Sequence, residues 1–365
     1  MNKKVITLFL TITTLFSCLT ACSLLPFNSA QSGNHTVKEE SKTVELYQLT
    51  PDKDLLTQTY VIKTKNDKII VIDGGVYTNH LGFAQTYLPS AIRSILGIGQ
   101  EDYFEVEAWF LSHNHSDHIG ELANMLVKYK DTSNYKINHI YFDFPAYGTE
   151  EYPSHNVDMK EWEQLKNGLS NYAAVNNIAV TGDSYYDDLN GAFINKASVE
   201  EGFAMNIDGV AIQVLQTWGD ANDGTDVNNN SLVIRMTVEG QTILFLNDLG
   251  LNGEQRLING KWKHLLKSDI VQMAHHGQRG ISQIGYEMID ASVHLWCTPS
   301  WVWYSKVGDY QIHEVRSWVN NGVDFTDSNG RNIVSCLYAA YPQDVGKVED
   351  WTAVKDYMKI PLPYK

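Results

Sequence analysis

The sequence predicts an α+β fold in which two β-sheets pack face to face and helices cover the outside. Apolar runs with strand-like alternation recur along the chain, and stretches with helical spacing interrupt them. In addition, 43% of the 365 residues are hydrophobic, enough for a large core at the upper size limit of one domain.

The strand-like runs follow one another along the chain with turns or helices between them. We expect strands at 44–49, 59–63, 69–72, 137–142, 210–215, 232–238 and 242–246. Glu239-Gly240-Gln241 predicts a tight hairpin between the last two. Apolar residues at helical spacing predict helices at 117–130 and 159–175. Residues 44–345 are therefore expected to form the folded domain, with residues 346–365 as a C-terminal extension.

The first 43 residues predict export and anchoring. Lys3 and Lys4 precede an apolar run at 5–19 that is too short for a comfortable membrane span. Leu19-Thr20-Ala21-Cys22 resembles a bacterial lipobox, the alternative being a chance cysteine. We expect a signal peptide at 1–21 and a lipidated Cys22 that begins a flexible tether at 22–43. This places the protein on the outer face of the bacterial cytoplasmic membrane, held there by its lipid anchor.

The charge of the chain argues against one class of partner. The formal net charge of −15 becomes −17 once Lys3 and Lys4 leave with the signal peptide. A surface this acidic repels phosphate backbones and disfavours tight, non-specific nucleic-acid binding, although a local basic groove remains compatible with it. No motif indicates a protein partner or an oligomeric state.

Two thiols remain in the folded domain once Cys18 is removed and Cys22 carries the lipid. Cys297 and Cys336 both stand in apolar, strand-like runs, which favours buried free thiols. An exported location also permits a disulfide between them, and their spacing does not decide the question.

The segment His113-Asn114-His115-Ser116-Asp117-His118 predicts a metal site. It follows a buried strand and precedes a helical pattern, so that three imidazoles and one carboxylate share one loop. A lone histidine is usually an ordinary surface or core residue, but this density of nitrogen and oxygen ligands suits zinc and its first-row neighbours.

The pattern H-x-H-x-D-H of this segment resembles the hallmark of the metallo-β-lactamase superfamily. Three further segments are similar to family motifs, in family order: 68–75 with Asp73-Gly74-Gly75, 242–248 ending in Asp248, and 269–277 with His275-His276-Gly277. The histidine doublet and Asn229-Asn230-Ser231 are most similar to the branch that includes the ComEC hydrolase domain and the pneumococcal phosphorylcholine esterase. The resemblance implies a four-layer αββα sandwich.

The resemblance also implies two divalent metal ions, with zinc expected and manganese or iron as alternatives. It assigns one metal to His113 and His115, the other to Asp117, His118 and His275, and a bridging role to Asp248. Asp73 would orient a ligand imidazole from behind; an ordinary turn residue is the alternative.

The family pattern leaves two positions open. His276 competes with His275, and we expect His275 to be the ligand because it lies at the strand end, with His276 facing the substrate or supporting a ligand. Many family members carry a further histidine on the first metal, but 215–223 contains none. Asp220, Asp223 or water remain candidates there. Asn247 also replaces a common glycine before the bridging aspartate.

The expected activity is hydrolysis by a metal-bound hydroxide, with Asp117, Asp248 and His276 in the catalytic group. A phosphodiester of the cell surface or of choline-phosphate type ranks first. A lactone, β-lactam or other ester, a ComEC-like nuclease substrate, and a non-catalytic binding lipoprotein are the alternatives. Trp301-Val302-Trp303-Tyr304 could hold a quaternary ammonium by cation–π attraction, or form one face of a strand packed in the core.

Overall fold

The computed structural model describes residues 42–49, 55–76, 87–128, 134–144, 159–175, 199–218, 226–319, 325–326, 332–333 and 357–363. The second of two compact units, Lys42–Lys365, contains all of them. The predicted signal peptide, Cys22, Asp220, Asp223 and Cys336 lie outside the described residues. Within the described ranges, no helix has the length and apolar character needed to cross a membrane.

Two mixed sheets contain most of the strands. The first comprises β1 (Val44–Leu49), β2 (Tyr60–Lys63), β3 (Ile69–Ile72), β4 (Phe104–Phe110), β5 (Tyr135–Ile137), β6 (Ile140–Tyr141) and β15 (Tyr357–Leu362). The second comprises β7 (Ala204–Ile207), β8 (Val210–Gln216), β9 (Val233–Val238), β10 (Gln241–Phe245), β11 (Ile270–Gln272) and β12 (Val293–Leu295). The strand orders are β15-β1-β2-β3-β4-β5, with β6 also paired to β4, and β12-β11-β10-β9-β8-β7. A separate pair consists of β13 (Phe325–Thr326) and β14 (Asn332–Ile333).

The helices fall into two sets along the chain. The first set is α1 (Tyr87–Leu96), α2 (Ser116–Lys128) and α3 (Met159–Val175). The second set is α4 (Leu251–Asn259), α5 (Gln283–Ile289), α6 (Ser300–Trp303) and α7 (Ile312–Val319). Short 3₁₀ turns span Val227–Asn230, Lys263–Leu265 and Ala274–Gly277.

Three hydrophobic cores separate four layers. In β3, Ile69 and Val71 pack with residues of α1, α2 and α3, whereas Ile70 and Ile72 face the core between the two sheets. This follows from the two-residue period of a strand, which sends alternate side chains to opposite faces. Leu244 of β10 packs with residues of α4 to α7 in the third core. The predicted α+β sandwich is confirmed, with helices covering both sheets.

Several predicted elements are confirmed at residue level. β1, β3 and α3 have the expected bounds. Glu239 and Gly240 form the two-residue hairpin between β9 and β10, and their φ angles of 49° and 87° are those of a primed turn. The strand expected at 137–142 is instead divided between β5 and β6, which both pair in parallel with β4.

The end of the chain differs from the expected extension. β15 pairs antiparallel with β1, with Val44 opposite Leu362, and forms the edge of the first sheet. Ile360 and Leu362 are buried in the core between the sheets. Residues 346–365 therefore include a structural strand of the domain.

Candidate metal centre

The predicted ligands emerge where parallel strands end. β3 and β4 are parallel neighbours, as are β10, β11 and β12. Asp73 follows β3 and the segment 111–118 follows β4, whereas Asp248 and the doublet His275-His276 follow β10 and β11. The chain thus brings side chains from both sheets to one place.

Four side chains form what we call the buried group: Asp117, His118, Asp248 and His276. Their candidate ligand atoms all lie within 4.8 Å of one another. Asp248 Oδ2 is 3.2 Å from His118 Nε2 and 3.3 Å from His276 Nε2. His276 Nε2 is also 3.0 Å from Asp117 Oδ2. Two imidazoles and two carboxylates at these separations form a donor set that fits a divalent cation such as zinc.

The outer group consists of His113, His115 and the same Asp248. His113 Nε2 lies 3.1 Å from His115 Nδ1 and 4.0 Å from Asp248 Oδ2. His113 is fully buried, whereas His115 is partly exposed. Because Asp248 belongs to both groups, its carboxylate is the bridge between them.

Hydrogen bonds to the Nδ1 atoms of two candidate ligands orient their imidazole rings. His118 Nδ1 donates to Asp73 Oδ2 at 2.7 Å, and His276 Nδ1 donates to the carbonyl oxygen of Cys297 at 3.0 Å. The opposite ring nitrogen, Nε2, then faces Asp248 in both rings. An outer hydrogen bond of this kind fixes the tautomer of a metal-binding histidine. The structure thus places Asp73 directly behind a candidate ligand.

Ser112 extends this support to the outer group. Its main-chain N–H and its hydroxyl donate to the two oxygens of Asp73, at 2.7 and 2.9 Å. The same hydroxyl oxygen lies 3.0 Å from His113 Nδ1 and accepts from it. Sequence reasoning missed Ser112 and the Cys297 carbonyl, because a single hydroxyl and a main-chain atom leave no residue pattern.

The electrostatics of the site depend on opposed effects of burial and charge. Burial opposes ionisation of Asp248, but the charges of His118 and His276 outweigh it and hold the pKa of this carboxyl well below its usual value. Burial would likewise lower the pKa values of His118 and His276, yet the charge of Asp248 raises both well above the ordinary value. For His113, burial and the neighbouring His118 and His115 keep the pKa well below normal, which favours the neutral ring that binds metals.

Unsatisfied polar atoms show that the residues fit a cation. Among the described residues, His118 Nε2 and Asp248 Oδ1 are buried without a hydrogen-bond partner. Buried polar atoms are rarely left unpaired, and an ion is one of the usual reasons. The facing ring nitrogens, His113 Nε2 and His115 Nδ1, lie 3.1 Å apart, a separation at which both could bind one cation.

The two adjacent histidines are oriented differently from the sequence expectation. β11 ends at Gln272, and His275 and His276 follow in a turn with φ angles of 50° and 54°. This left-handed turn brings His276 into the buried group. His275 Nε2 lies 3.9 Å from Asp248 Oδ2, with 24% of the side chain exposed, and 3.4 Å from Asn228 Nδ2. The geometry therefore favours His276 over the expected His275 as the ligand.

Two residues beside the ligands, Asn247 and Gly277, have positive φ angles. Asn247 has φ = 52°, a conformation that favours glycine but that asparagine tolerates better than most residues. Gly277, with φ = 78°, has no such substitute, because an added Cβ would lie 2.4 Å from the ring of Trp296. The candidates Asp220 and Asp223 fall outside the described residues, and no further ligand of the outer group is assigned.

The aromatic residues Trp301 and Trp303 lie in a helix, so the expectation of a strand face is wrong. Trp301, Val302 and Trp303 belong to α6, and the ring of Trp303 packs edge-on against Trp296 at 5.3 Å. Trp301 and Tyr304 are 44% and 53% exposed, respectively. Both side chains follow a few residues after Cys297, whose carbonyl oxygen accepts from His276.

Comparison with known proteins finds one matching family model. The family model described as metallo-beta-lactamase superfamily matches residues 52–205. Comparison with the curated proteins finds no match.

Solved structures with similar chains share 12–16% identity with this one. The metallo-beta-lactamase fold protein YhfI from Bacillus subtilis is 12% identical, with 76% of this chain and 94% of that chain covered and a TM-score of 0.41. A diphosphatase from the PhnP family is also 12% identical, with coverages of 69% and 85% and a TM-score of 0.38. A B3 metallo-beta-lactamase with an active-site glutamic acid is 16% identical, with coverages of 67% and 83% and a TM-score of 0.36.

Proposed function

We propose that this chain, which contains a metallo-β-lactamase superfamily domain, is a metal-dependent phosphodiesterase that acts at the bacterial cell surface. The observation that carries the proposal is the sharing of Asp248 by the buried and the outer group. One carboxylate that faces two sets of histidines is suited to bridge two cations.

The residues that would hold the metals follow from the two groups. His113 and His115 with Asp248 would hold one ion, and Asp117, His118 and His276 with the same Asp248 would hold the other. When bound, two such ions activate a water molecule and neutralise negative charge on the substrate's oxygens. Zinc suits the mixture of nitrogen and oxygen donors, and manganese or iron are also compatible with it.

His275 would contact the substrate. Its side chain is 24% exposed, whereas those of His113, His118 and His276 are fully buried. Burial lowers the pKa of His275, although the charge of Asp248 opposes this shift, so the ring is mainly neutral near pH 7. A neutral imidazole at the mouth of the site can accept a hydrogen bond, or a proton, at Nε2.

Charge and location support a phosphodiester as the substrate. A phosphate group carries negative charge on several oxygens, so it gains more from two adjacent cations than a lactone or β-lactam does. The N-terminal lipobox-like sequence would keep the domain beside lipid headgroups and wall polymers. The His275-His276-Gly277 pattern resembles the phosphorylcholine esterase branch. The exposed Trp301 and Tyr304 offer aromatic faces to a choline-type cation, at about 0.5–2 kcal/mol per good contact.

The test uses the purified chain, loaded with zinc or manganese, and chromogenic phosphodiesters with and without a choline group. Asp248→Ala removes the shared carboxylate. Asp290→Asn, which changes an exposed aspartate paired with Lys267, is the control. Turnover by the unaltered chain and Asp290→Asn, but not by Asp248→Ala, supports the proposal.

Other outcomes would point to the alternatives. If the chain hydrolyses a lactone, a β-lactam or DNA but not the chromogenic phosphodiesters, that compound class becomes the proposed substrate. Two bound ions without turnover of any of these compounds would favour a binding lipoprotein.

A further inference from the structure

Gln58 lies two residues before the start of β2 and is fully buried, although it belongs to neither ligand group. Its side-chain Nε2 donates to Asp73 Oδ2 at 2.9 Å and to Asn247 Oδ1 at 2.6 Å. Its Oε1 accepts from Gln272 Nε2 at 2.9 Å and from Cys297 Sγ at 3.1 Å. Both amide protons and the carbonyl oxygen are therefore used, which fixes the orientation of the carboxamide.

Three of these partners each support a different member of the buried group. Asp73 accepts from His118 Nδ1 at 2.7 Å, and Asn247 immediately precedes Asp248. The main-chain carbonyl of Cys297 accepts from His276 Nδ1 at 3.0 Å.

Gln58 also contacts the fourth member directly. Its main-chain N–H donates to the carbonyl oxygen of Asp117 at 3.0 Å. Gln58 is thus linked to all four members of the buried group. It contacts Asp117 directly and reaches the other three through residues that support or adjoin them.

These contacts cross between the two sheets. Gln58 and Asp73 come from the first sheet, whereas Asn247, Gln272 and Cys297 follow or belong to strands of the second. The buried group is divided in the same way, because Asp117 and His118 follow β4 while the other two members follow β10 and β11. Any shift of one sheet edge against the other would therefore change the spacing of the ligands, and Gln58 resists that shift.

We propose that Gln58 is the positioning residue of the buried group: it holds the ligands from the two sheets at the spacing that a metal ion requires. The inference rests on the proposed metal-dependent function. It predicts that loss of the carboxamide weakens the ion of the buried group, because outer partners of metal ligands typically contribute about 10–100-fold in affinity.

Gln48 provides a matched control. It is buried to the same degree, and its Nε2 donates across to the second sheet, to the carbonyl oxygen of Trp296, at 3.0 Å. Its Oε1 accepts from the hydroxyl of Tyr60 at 3.0 Å. Neither the Trp296 carbonyl nor the Tyr60 hydroxyl contacts a member of the ligand groups. Loss of the Gln48 carboxamide therefore removes buried hydrogen bonds but leaves the partners of the ligands unchanged.

The experiment compares Gln58→Met and Gln48→Met, which keep the side-chain volume nearly constant, with the unaltered full chain. Chelator competition gives the affinity of each bound zinc ion, elemental analysis gives the stoichiometry, and urea unfolding in EDTA gives the stability of the metal-free proteins. We expect Gln58→Met to lose about 10–100-fold in affinity for one ion, and Gln48→Met to bind both ions as the unaltered chain does.

Two results would overturn the role of Gln58 and leave the proposed function intact. One is unchanged binding of both ions by Gln58→Met. The other is an equal loss of metal affinity in Gln48→Met, which would indicate a general effect of stability. An unaltered chain that binds no metal would instead overturn the proposed function, and this inference with it. If Gln58→Met does not fold, Asn247→Gly takes its place, because glycine adopts the positive φ of this position. This change removes one of the four side-chain links of Gln58, together with the bond from Asn247 Nδ2 to the Leu232 carbonyl. Asn247→Gly should then weaken the same ion, and full affinity in this variant would contradict the proposal.

Discussion

Replacing His276 and His275 by alanine, one at a time, should have very different effects. His276 is fully buried, with Nε2 at 3.0 Å from Asp117 Oδ2 and 3.3 Å from Asp248 Oδ2. His275 is partly exposed, and its Nε2 lies 3.4 Å from Asn228 Nδ2 and 3.9 Å from Asp248 Oδ2. The two side chains are neighbours in one turn, so each substitution is a control for the other.

The distances set the expected magnitude. At an effective dielectric constant of about 20, a unit charge pair at 3.0–3.3 Å is worth about 5 kcal/mol before desolvation. Removing one partner of such a pair leaves the other charge buried and uncompensated, which typically costs about 3–5 kcal/mol. We expect this loss for metal-free His276→Ala, and less than about 1 kcal/mol for His275→Ala.

The pH of the assay follows from the direction of the shift. Burial opposes protonation of His276, but Asp248 and the other negative neighbours raise its pKa well above normal. Its stabilising contribution is therefore fully present below the unfolded pKa of about 6.5 and is lost only as the pH rises through the higher folded-state value. Urea unfolding in EDTA at pH 6 measures the full effect.

Metal binding provides the second measurement. With zinc, His276→Ala should lose more than about 100-fold in affinity for one ion, since a direct ligand contributes more than an outer partner. His275→Ala should keep both affinities within a fewfold of the unaltered chain. If His275→Ala loses an ion while His276→Ala retains both, the assignment drawn from the left-handed turn is refuted.

Three further substitutions test other parts of the site and the fold. Asp248→Ala should lose both zinc ions, measured by elemental analysis, and all phosphodiesterase activity while its circular dichroism stays native; two retained ions would contradict the bridging role. Asp73→Asn should weaken zinc by about 10–100-fold in chelator competition, because the support of His118 loses its charge, and unchanged affinity would argue against that support. Burial lowers the pKa of His294 to about 4, so the unaltered chain should lose stability as the pH falls from about 6.5 towards 4. Urea unfolding at pH 7 and 4.5 measures this drop in the free energy of unfolding. The drop should be about 2–3 kcal/mol smaller in His294→Gln than in the unaltered chain, and equal drops would refute the role of His294.

The fold was predictable where the pattern is local. β3 is a continuous apolar run, β1 is mostly apolar, and α3 has a helical repeat, so their bounds could be read from neighbouring residues. β15 was missed because its assignment depends on pairing with β1 at the opposite end of the chain. No local pattern distinguishes a short edge strand of this kind from an extension.

The site, like the fold, was predictable where its residues are close together in the sequence. His113, His115, Asp117 and His118 stand together in the sequence, and the pattern names them without a structure. The choice between His275 and His276 depends on two backbone angles that the residue types alone do not determine. Gln58 left no signal, because its partners Asn247 and Cys297 are 189 and 239 residues away.

The two ligand groups should not bind their ions equally. The buried group offers four side chains, two of them carboxylates, while the outer group as described offers two imidazoles and shares Asp248. His115 of the outer group is also partly open to solvent. Fewer negative donors and easier exchange with water both predict weaker binding, so zinc titration in the presence of graded chelators should be biphasic. His115→Ala should abolish only the weak phase, because its ring belongs to the outer group alone. A single cooperative phase, or loss of the tight phase in His115→Ala, would mean that the two groups bind their ions as one unit.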